Sequence, residues 1–180
     1  MAEERKHYRP NWDDYFMAIA KIVAARGTCD RLYASAVLVK DNRIISTGYN
    51  GSPPGLPHCN DVGHLMEEGH CVRTIHAEHN AILQAAAQGG TSTIGSTIYM
   101  KYSPCIHCTK YIISAGIKRV VFEKIYRNQK VTEMFKQAGV VVEEYKSNPA
   151  WQEEILKIFS EETPTRINEG EVKLEEKNEA

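Results

Sequence analysis

The stretch from His76 to Cys108 constrains this chain more than any other. It opens with His76-Ala77-Glu78 and closes with Pro104-Cys105-Ile106-His107-Cys108. Residues 77–87 are rich in Ala, Leu, Ile and Gln, and Gly89-Gly90 follows. That composition predicts a helix over 77–87 stopped by the glycines, with His76 and Glu78 in its first turn. Pro104 predisposes the backbone to a second helix start, where Cys105 and Cys108, three positions apart, share one face. A thiol at a helix N-terminus gives up its proton more readily, because the partial positive charge there favours the thiolate. A fold that lets these groups act together has to bring two helix N-termini into contact.

His76, Cys105 and Cys108 are ligands that zinc accepts. Three protein ligands leave a fourth position for water, which marks a catalytic site rather than a structural one. Two thiolates also balance the double charge of the ion. Taken singly, a Cys-x-x-Cys could be a redox pair or half of a zinc finger. The two segments together, each at a helix start, predict a catalytic zinc with Glu78 beside it. A closed site would need His79 or His107 as a fourth ligand. His79, one position past Glu78, points away from His76, and His107 reads as a surface or supporting residue.

The chain has 180 residues, 42% hydrophobic and 25% charged, enough for one domain with a proper core. Its formal net charge of −1 is no footprint for gripping nucleic acid through phosphates, so no nucleic-acid partner is expected. The sequence lacks an 18-residue apolar run and starts with charged residues, so neither a membrane span nor a signal peptide is expected. Five cysteines and a need for free thiolates point to a reducing, cytoplasmic location.

Along the chain, Tyr15, Phe16, Ile19, Ala20, Ile22 and Val23 recur at helical spacing and predict a helix over 12–26. Residues 34–39 and 43–48 are β-rich and split by Lys40-Asp41-Asn42, which reads as a hairpin. Residues 50–73 form a long irregular region carrying Gly51, Pro53, Pro54, Gly55 and Pro57. Such a stretch inside a compact domain is functional or pinned by something. Strands are then expected over 96–101, 119–122 and 140–145, alternating with helices over 106–115 and 131–137. That alternation implies an α/β fold with parallel pairing and helices on both faces. The domain is expected over 11–147, a helical extension over 148–160 (helix 151–159), and an acidic, disordered tail over 161–180.

The chain resembles the deoxycytidylate (dCMP) deaminases of the cytidine deaminase-like superfamily. The resemblance spans roughly residues 12–146. It rests on Gly48-Tyr49-Asn50-Gly51-Ser52-Pro53, on Cys71-Val72-Arg73-Thr74-Ile75-His76-Ala77-Glu78 and on Ser103-Pro104-Cys105-Ile106-His107-Cys108. A His-x-Glu with a Pro-Cys-x-x-Cys marks the zinc nucleobase deaminases. Lys101 and Tyr102 depart from the usual residues before the cysteine segment, and the extension from Trp151 has no equivalent in the pattern.

The resemblance implies a five-stranded mixed sheet sandwiched by helices. It implies hydrolysis of dCMP to dUMP and ammonia, which supplies thymidylate synthesis, with Glu78 moving the protons. It further implies that the backbone of Ala77 reads the base edge and that Asn50 binds the deoxyribose hydroxyl. Taken alone, Asn50-Gly51 reads as a plain turn. By analogy, Arg31, Tyr126 and Arg127 are the phosphate-binding candidates, although either arginine reads equally as an ordinary solvated side chain. The Gly48, Tyr49, Asn50 and Gly51 loop implies an allosteric nucleotide site taking dCTP with Mg2+ as activator and dTTP as inhibitor. A homo-oligomer, preferably a hexamer, goes with it.

Cys29, Cys59 and Cys71 remain, all in or beside the irregular region and near His58, His64 and His70. Buried thiols of this kind can be simple apolar filling. A Cys₃His zinc would instead explain how the long region is held, and related members carry such a second zinc. Its fourth ligand is expected to be His64, with His70 the alternative, because adjacent His70 and Cys71 would strain a shared site.

Overall fold

The computed structural model describes residues 9–89, 91–126 and 129–160. The hairpin forms as expected because Asp41 and Asn42 accept positive φ angles of 50° and 58°. That mirror-image turn matches the right-handed twist of the strands it joins. Its arms are β1 (Ser35–Lys40) and β2 (Arg43–Tyr49), antiparallel, with a register irregularity between Leu38 and Val39. β5 (Thr97–Tyr102) pairs antiparallel with β1, and β6 (Arg119–Lys124) and β7 (Val141–Glu144) add in parallel. The sheet order is β2-β1-β5-β6-β7, a five-stranded mixed sheet. Parallel neighbours need long crossovers, supplied here by α4 (Ile106–Ser114) and α5 (Gln129–Gln137).

Alternation along β1 sends Val37 and Val39 to one face and Ala36 and Leu38 to the other. On the first face Val37, Val39, Tyr99 and Val121 pack with Phe16, Met17 and Ala20 of α1 (Trp12–Ala24). On the second, Leu38, Ile98, Met100 and Val120 pack with Ala81, Ile112 and Phe135 of α3 (Ala77–Ala87), α4 and α5. The result is three layers. Phe16 and Phe135 are fully enclosed, and each such side chain contributes about 1.5–3 kcal/mol.

The position of α3 depends on small residues. Ala77, Ala81 and Ala85 form its buried stripe, and β2 meets it at Gly48. A Cβ on Gly48 would lie 2.2 Å from the Ala77 carbonyl oxygen and 2.4 Å from the Ala81 nitrogen. Two residues earlier on the same strand, the Ser46 hydroxyl donates to the Ala81 carbonyl at 2.7 Å. Helix and strand therefore touch backbone to backbone, which fixes where the start of α3 sits.

On the α1 face, Arg119 of β6 donates to both carboxylate oxygens of Asp13, at 2.8 and 2.7 Å, and to Glu143 of β7 at 2.6 Å. The Tyr99 hydroxyl also donates to Asp13, at 2.6 Å. One guanidinium thus joins α1 to two strands.

The region over 50–73 is more ordered than expected. It contains α2 (Cys59–Val62) and a small antiparallel hairpin, β3 (Met66–Glu67) with β4 (His70–Cys71). Glu68 and Gly69 make its turn at φ 46° and 78°. Arg9–Ser147 make up one compact unit, and α6 (Pro149–Phe159) belongs to another. Asn148 caps α6 by accepting the Ala150 N–H at 3.0 Å, and Lys157 pairs with Glu153 one turn away at 2.6 Å. The expected tail over 161–180 and Arg127 lie outside the described residues. Among the described residues no helix is long and apolar enough to cross a membrane.

Candidate active site and metal centres

β5 ends at Tyr102, and Ser103-Pro104 leads directly into α4. Cys105 sits just before that helix, whose expected start at 106 is met, and caps it: its sulfur accepts the Cys108 N–H at 3.5 Å. His76 occupies the same capping position on α3, with extended backbone (φ −65°, ψ 150°). Two helix starts therefore face each other across the site. The His76 Nδ1 lies 3.6 Å from the Cys105 sulfur and 3.5 Å from that of Cys108. Tetrahedral zinc with its usual bond lengths separates a nitrogen and a sulfur ligand by about 3.6 Å, so the donor set fits that ion.

Protonation agrees with a cation-binding role. The hydrogen bond from the Cys108 thiol, followed by that of His76, lowers the Cys105 pKa to about 3 against the cost of burial. Cys108 shifts the other way, well above the ordinary thiol range, because Cys105 takes its proton as a hydrogen bond and burial adds to the effect. One thiolate is thus formed before any cation arrives, and the second proton is released when a cation binds. His76 is raised by its hydrogen bond with Cys105. Glu78, two residues along and only 8% exposed, is raised by burial. A carboxyl shifted upward by burial is the kind of group that can both take and give a proton.

His76, Glu78 and Cys105 line a cavity of about 240 Å³ that also exposes Arg31, Asn50 and Tyr126. The Arg31 guanidinium donates to the Gly69 carbonyl at 3.1 Å and reaches the Met66 sulfur at 3.7 Å, both in the β3–β4 hairpin. The Tyr126 N–H donates to the Ser103 hydroxyl at 2.8 Å, so both sit on the cavity wall.

Asn50 is buried. Its side-chain nitrogen donates to the Leu32 carbonyl and its oxygen accepts the Ala77 N–H, each at 3.0 Å. Its amide keeps one further donor and one further acceptor for a ligand. Ala77, whose backbone is expected to read the base edge, is not among the residues lining the cavity, and its N–H donates to Asn50.

Of the segment Gly48, Tyr49, Asn50 and Gly51, expected as a loop that follows the 43–48 strand, more is built into the fold than expected. Gly48 and Tyr49 belong to β2, paired with Ala36 and Ser35. The Asn50 carbonyl accepts the Thr28 N–H at 3.0 Å, and Gly51 forms a bridge to Ile75. The main chain of this segment is committed to the fold, and Gly48 is needed for helix packing rather than for flexibility.

A second cluster joins Cys29, Cys59, His64 and Cys71, whose donor atoms all lie within 4.8 Å of one another. The Cys59 and Cys71 sulfurs are 3.5 Å apart, and the Cys29 sulfur is 3.7 Å from His64 Nδ1. Four donors in this arrangement fit a closed, structural zinc. The other ring nitrogen of His64 meets Asp30 at 3.0 Å, the outer carboxylate contact that orients a ligating imidazole. Burial works against ionisation of Cys71, yet the backbone N–H groups of Arg73 and Leu65, with Cys59 and His64, lower its pKa to about 7. Burial and the neighbouring Cys71 and Cys29 raise Cys59 to about 12. His70 is not among these donors. It lines the cavity, as do Thr74 and Ser103, which lie within the recognised motifs but were given no role from the sequence.

Residues 10–124 match the cytidine and deoxycytidylate deaminase zinc-binding region. The chain belongs to that deaminase family. It is 50% identical to ComE operon protein 2 of Bacillus subtilis over 137 residues, covering 76% of this chain and 72% of the relative. It is 38% identical to the deoxycytidylate deaminase of Mycobacterium phage D29 over 128 residues, 64% of this chain and 97% of the relative. Among solved structures it superposes on the dCMP deaminase of cyanophage S-TIM5 in complex with dCMP and dUMP. That match has a TM-score of 0.67 and 31% identity, covering 77% of this chain and all of the phage chain. This deaminase family accounts for the three-layer fold and is one that binds zinc, and His76, Cys105 and Cys108 form a donor group that could hold such an ion.

Proposed function

We propose that this deaminase converts dCMP and water into dUMP and ammonia. The observation that carries the reading is one cavity lined by a buried carboxyl, Glu78, by two of the three zinc donors, His76 and Cys105, and by Arg31. When bound, zinc supplies the Lewis acidity that makes water nucleophilic near neutral pH. Glu78 takes a proton from that water and hands it to N3 of the cytosine ring, making C4 electrophilic. Hydroxyl adds at C4, Glu78 takes the remaining proton from that added oxygen and passes it to the exocyclic nitrogen, and the C4–N bond breaks as the C4 carbonyl forms and ammonia leaves. Asn50 holds the sugar hydroxyl with its remaining hydrogen-bonding capacity, and Arg31 meets the 5′-phosphate, aided by Tyr126 and Arg127.

The same reading includes a second, structural zinc at Cys29, Cys59, His64 and Cys71, and a cytosolic enzyme that feeds thymidylate synthesis. It also includes control of a homo-oligomer, preferably a hexamer, by Mg2+-dCTP as activator and dTTP as inhibitor. Because its backbone is engaged, the Gly48–Gly51 segment serves that control through Tyr49 on the edge strand β2. The test is deamination of dCMP, deoxycytidine and adenosine by zinc-replete protein. Preferential loss of the dCMP amine supports the reading, and comparable turnover of deoxycytidine overturns the nucleotide assignment. Sigmoidal dCMP kinetics that respond to both triphosphates support the regulation, and hyperbolic kinetics indifferent to them remove it.

A further inference from the structure

We propose that His70 is a second contact to the substrate's 5′-phosphate, acting beside Arg31 as a specificity-determining residue that separates nucleotide from nucleoside. The inference rests on the dCMP reading.

Three observations lead to it. First, the four-donor cluster is complete without His70, and His70 lines the cavity beside two members of that cluster, Cys29 and Cys71, and with His76 and Glu78. Second, the Gly69 carbonyl accepts from Arg31 at 3.1 Å, which places the guanidinium against the residue immediately before His70. Third, His70 is clamped between fixed points. A tight turn at Glu68 and Gly69 (φ 46° and 78°) and the Arg31 bond precede it, and Cys71 in its cluster follows. Donors held in place before binding lose little freedom on binding.

The chemistry of the wall selects the ligand. Among the described residues lining the cavity, Arg31 is the one guanidinium or ammonium, and Glu78 is the one carboxylate. Glu78 is committed to the reacting end. A phosphate offers three oxygens and takes several donors at once. Gly69 and Met66 occupy only part of the five-donor guanidinium, and an imidazole carries at least one N–H in either charge state. Arg31 and His70 together therefore present a cluster of donors for which a nucleoside has no partner.

The experiment measures kcat/KM for dCMP and for deoxycytidine in the parent, His70→Ala, His70→Gln and Arg31→Ala proteins, with zinc per chain determined for each. His70→Ala is expected to lower the dCMP-to-deoxycytidine ratio roughly ten- to a hundredfold, the range for one hydrogen bond to a charged group. His70→Gln, which keeps an N–H donor, is expected to restore much of it, with zinc content equal to the parent's throughout. If His70→Ala leaves the ratio unchanged in a parent that prefers dCMP, the role of His70 is overturned and the dCMP reading stands. Loss of one zinc equivalent in His70→Ala would make it a metal ligand and also overturn the proposal. A parent without preference for dCMP overturns the reading and the inference together.

Discussion

Ala77 donates its backbone N–H to the side-chain oxygen of Asn50 at 3.0 Å, across the junction of β2 and α3. A first-turn N–H has no acceptor within its own helix, so Asn50 supplies one from outside. It does so between the ligand His76 and the carboxyl of Glu78. Asn50→Ala strands this buried N–H and is expected to cost about 1–3 kcal/mol. The cost would be read as a lower urea midpoint with an unchanged slope. An unmoved midpoint would show the cap to be redundant.

Glu78→Gln keeps the shape of the side chain and removes its proton chemistry. The variant is expected to retain its full zinc content while kcat falls at least 10²- to 10⁴-fold, the usual contribution of a positioned general acid–base. Loss of metal alongside activity would place Glu78 among the ligands.

Gly48→Ala forces a methyl group onto backbone atoms that no rotamer change can move. With 2.2 Å to the Ala77 oxygen, α3 must lift from β2. The expected loss is about 3 kcal/mol or more, at the upper end of overpacking costs. Thermal melts of the variant should show it. A parent-like melting temperature would contradict the close packing.

Metal content tests the second cluster directly. The parent is expected to carry about two zinc ions per chain and Cys59→Ser about one, since a tetrahedral site loses affinity with a ligand. A parent that binds one ion removes the structural site from the proposal.

Hydrogen bonds from Arg119, outweighing partial burial, hold the Asp13 carboxyl below its ordinary range. A carboxylate depressed in the folded state stabilises at pH values above its unfolded pKa, near about 3.9. That stability is lost as pH falls through the lower folded value. Asp13→Asn is therefore expected to melt a few degrees below the parent at pH 7, and the two should converge in strong acid. The gap is small because the Asp13 side chain is 37% exposed and screened by solvent. A gap that persists unchanged to pH 2 would point to packing instead.

The catalytic donors were legible in the sequence because helix starts are local. The residues that favour α3 and α4 lie within a few positions of His76, Cys105 and Cys108. The hairpin was legible for the same reason, since Asp41-Asn42 specify their own turn. Long-range contacts were hidden. Gly48 looked like the end of a strand leading into the Asn50-Gly51 turn, and only the approach of α3 from residues 77–81 shows it to be a packing position. Likewise, the adjacency of His70 to Cys71 favoured His64 but could not show how the cluster closes. That depends on where Cys29 arrives from the end of α1, a contact across more than thirty residues.

All four members of the Cys29, Cys59, His64 and Cys71 cluster precede His76 in the chain. On the ribosome, where synthesis proceeds at about 5–20 residues per second and the N-terminal part emerges first, this cluster can close before Cys105 and Cys108 exist as competitors. Where the earlier set takes an ion as it emerges, order of emergence sorts five thiols into two sets before the second pair appears.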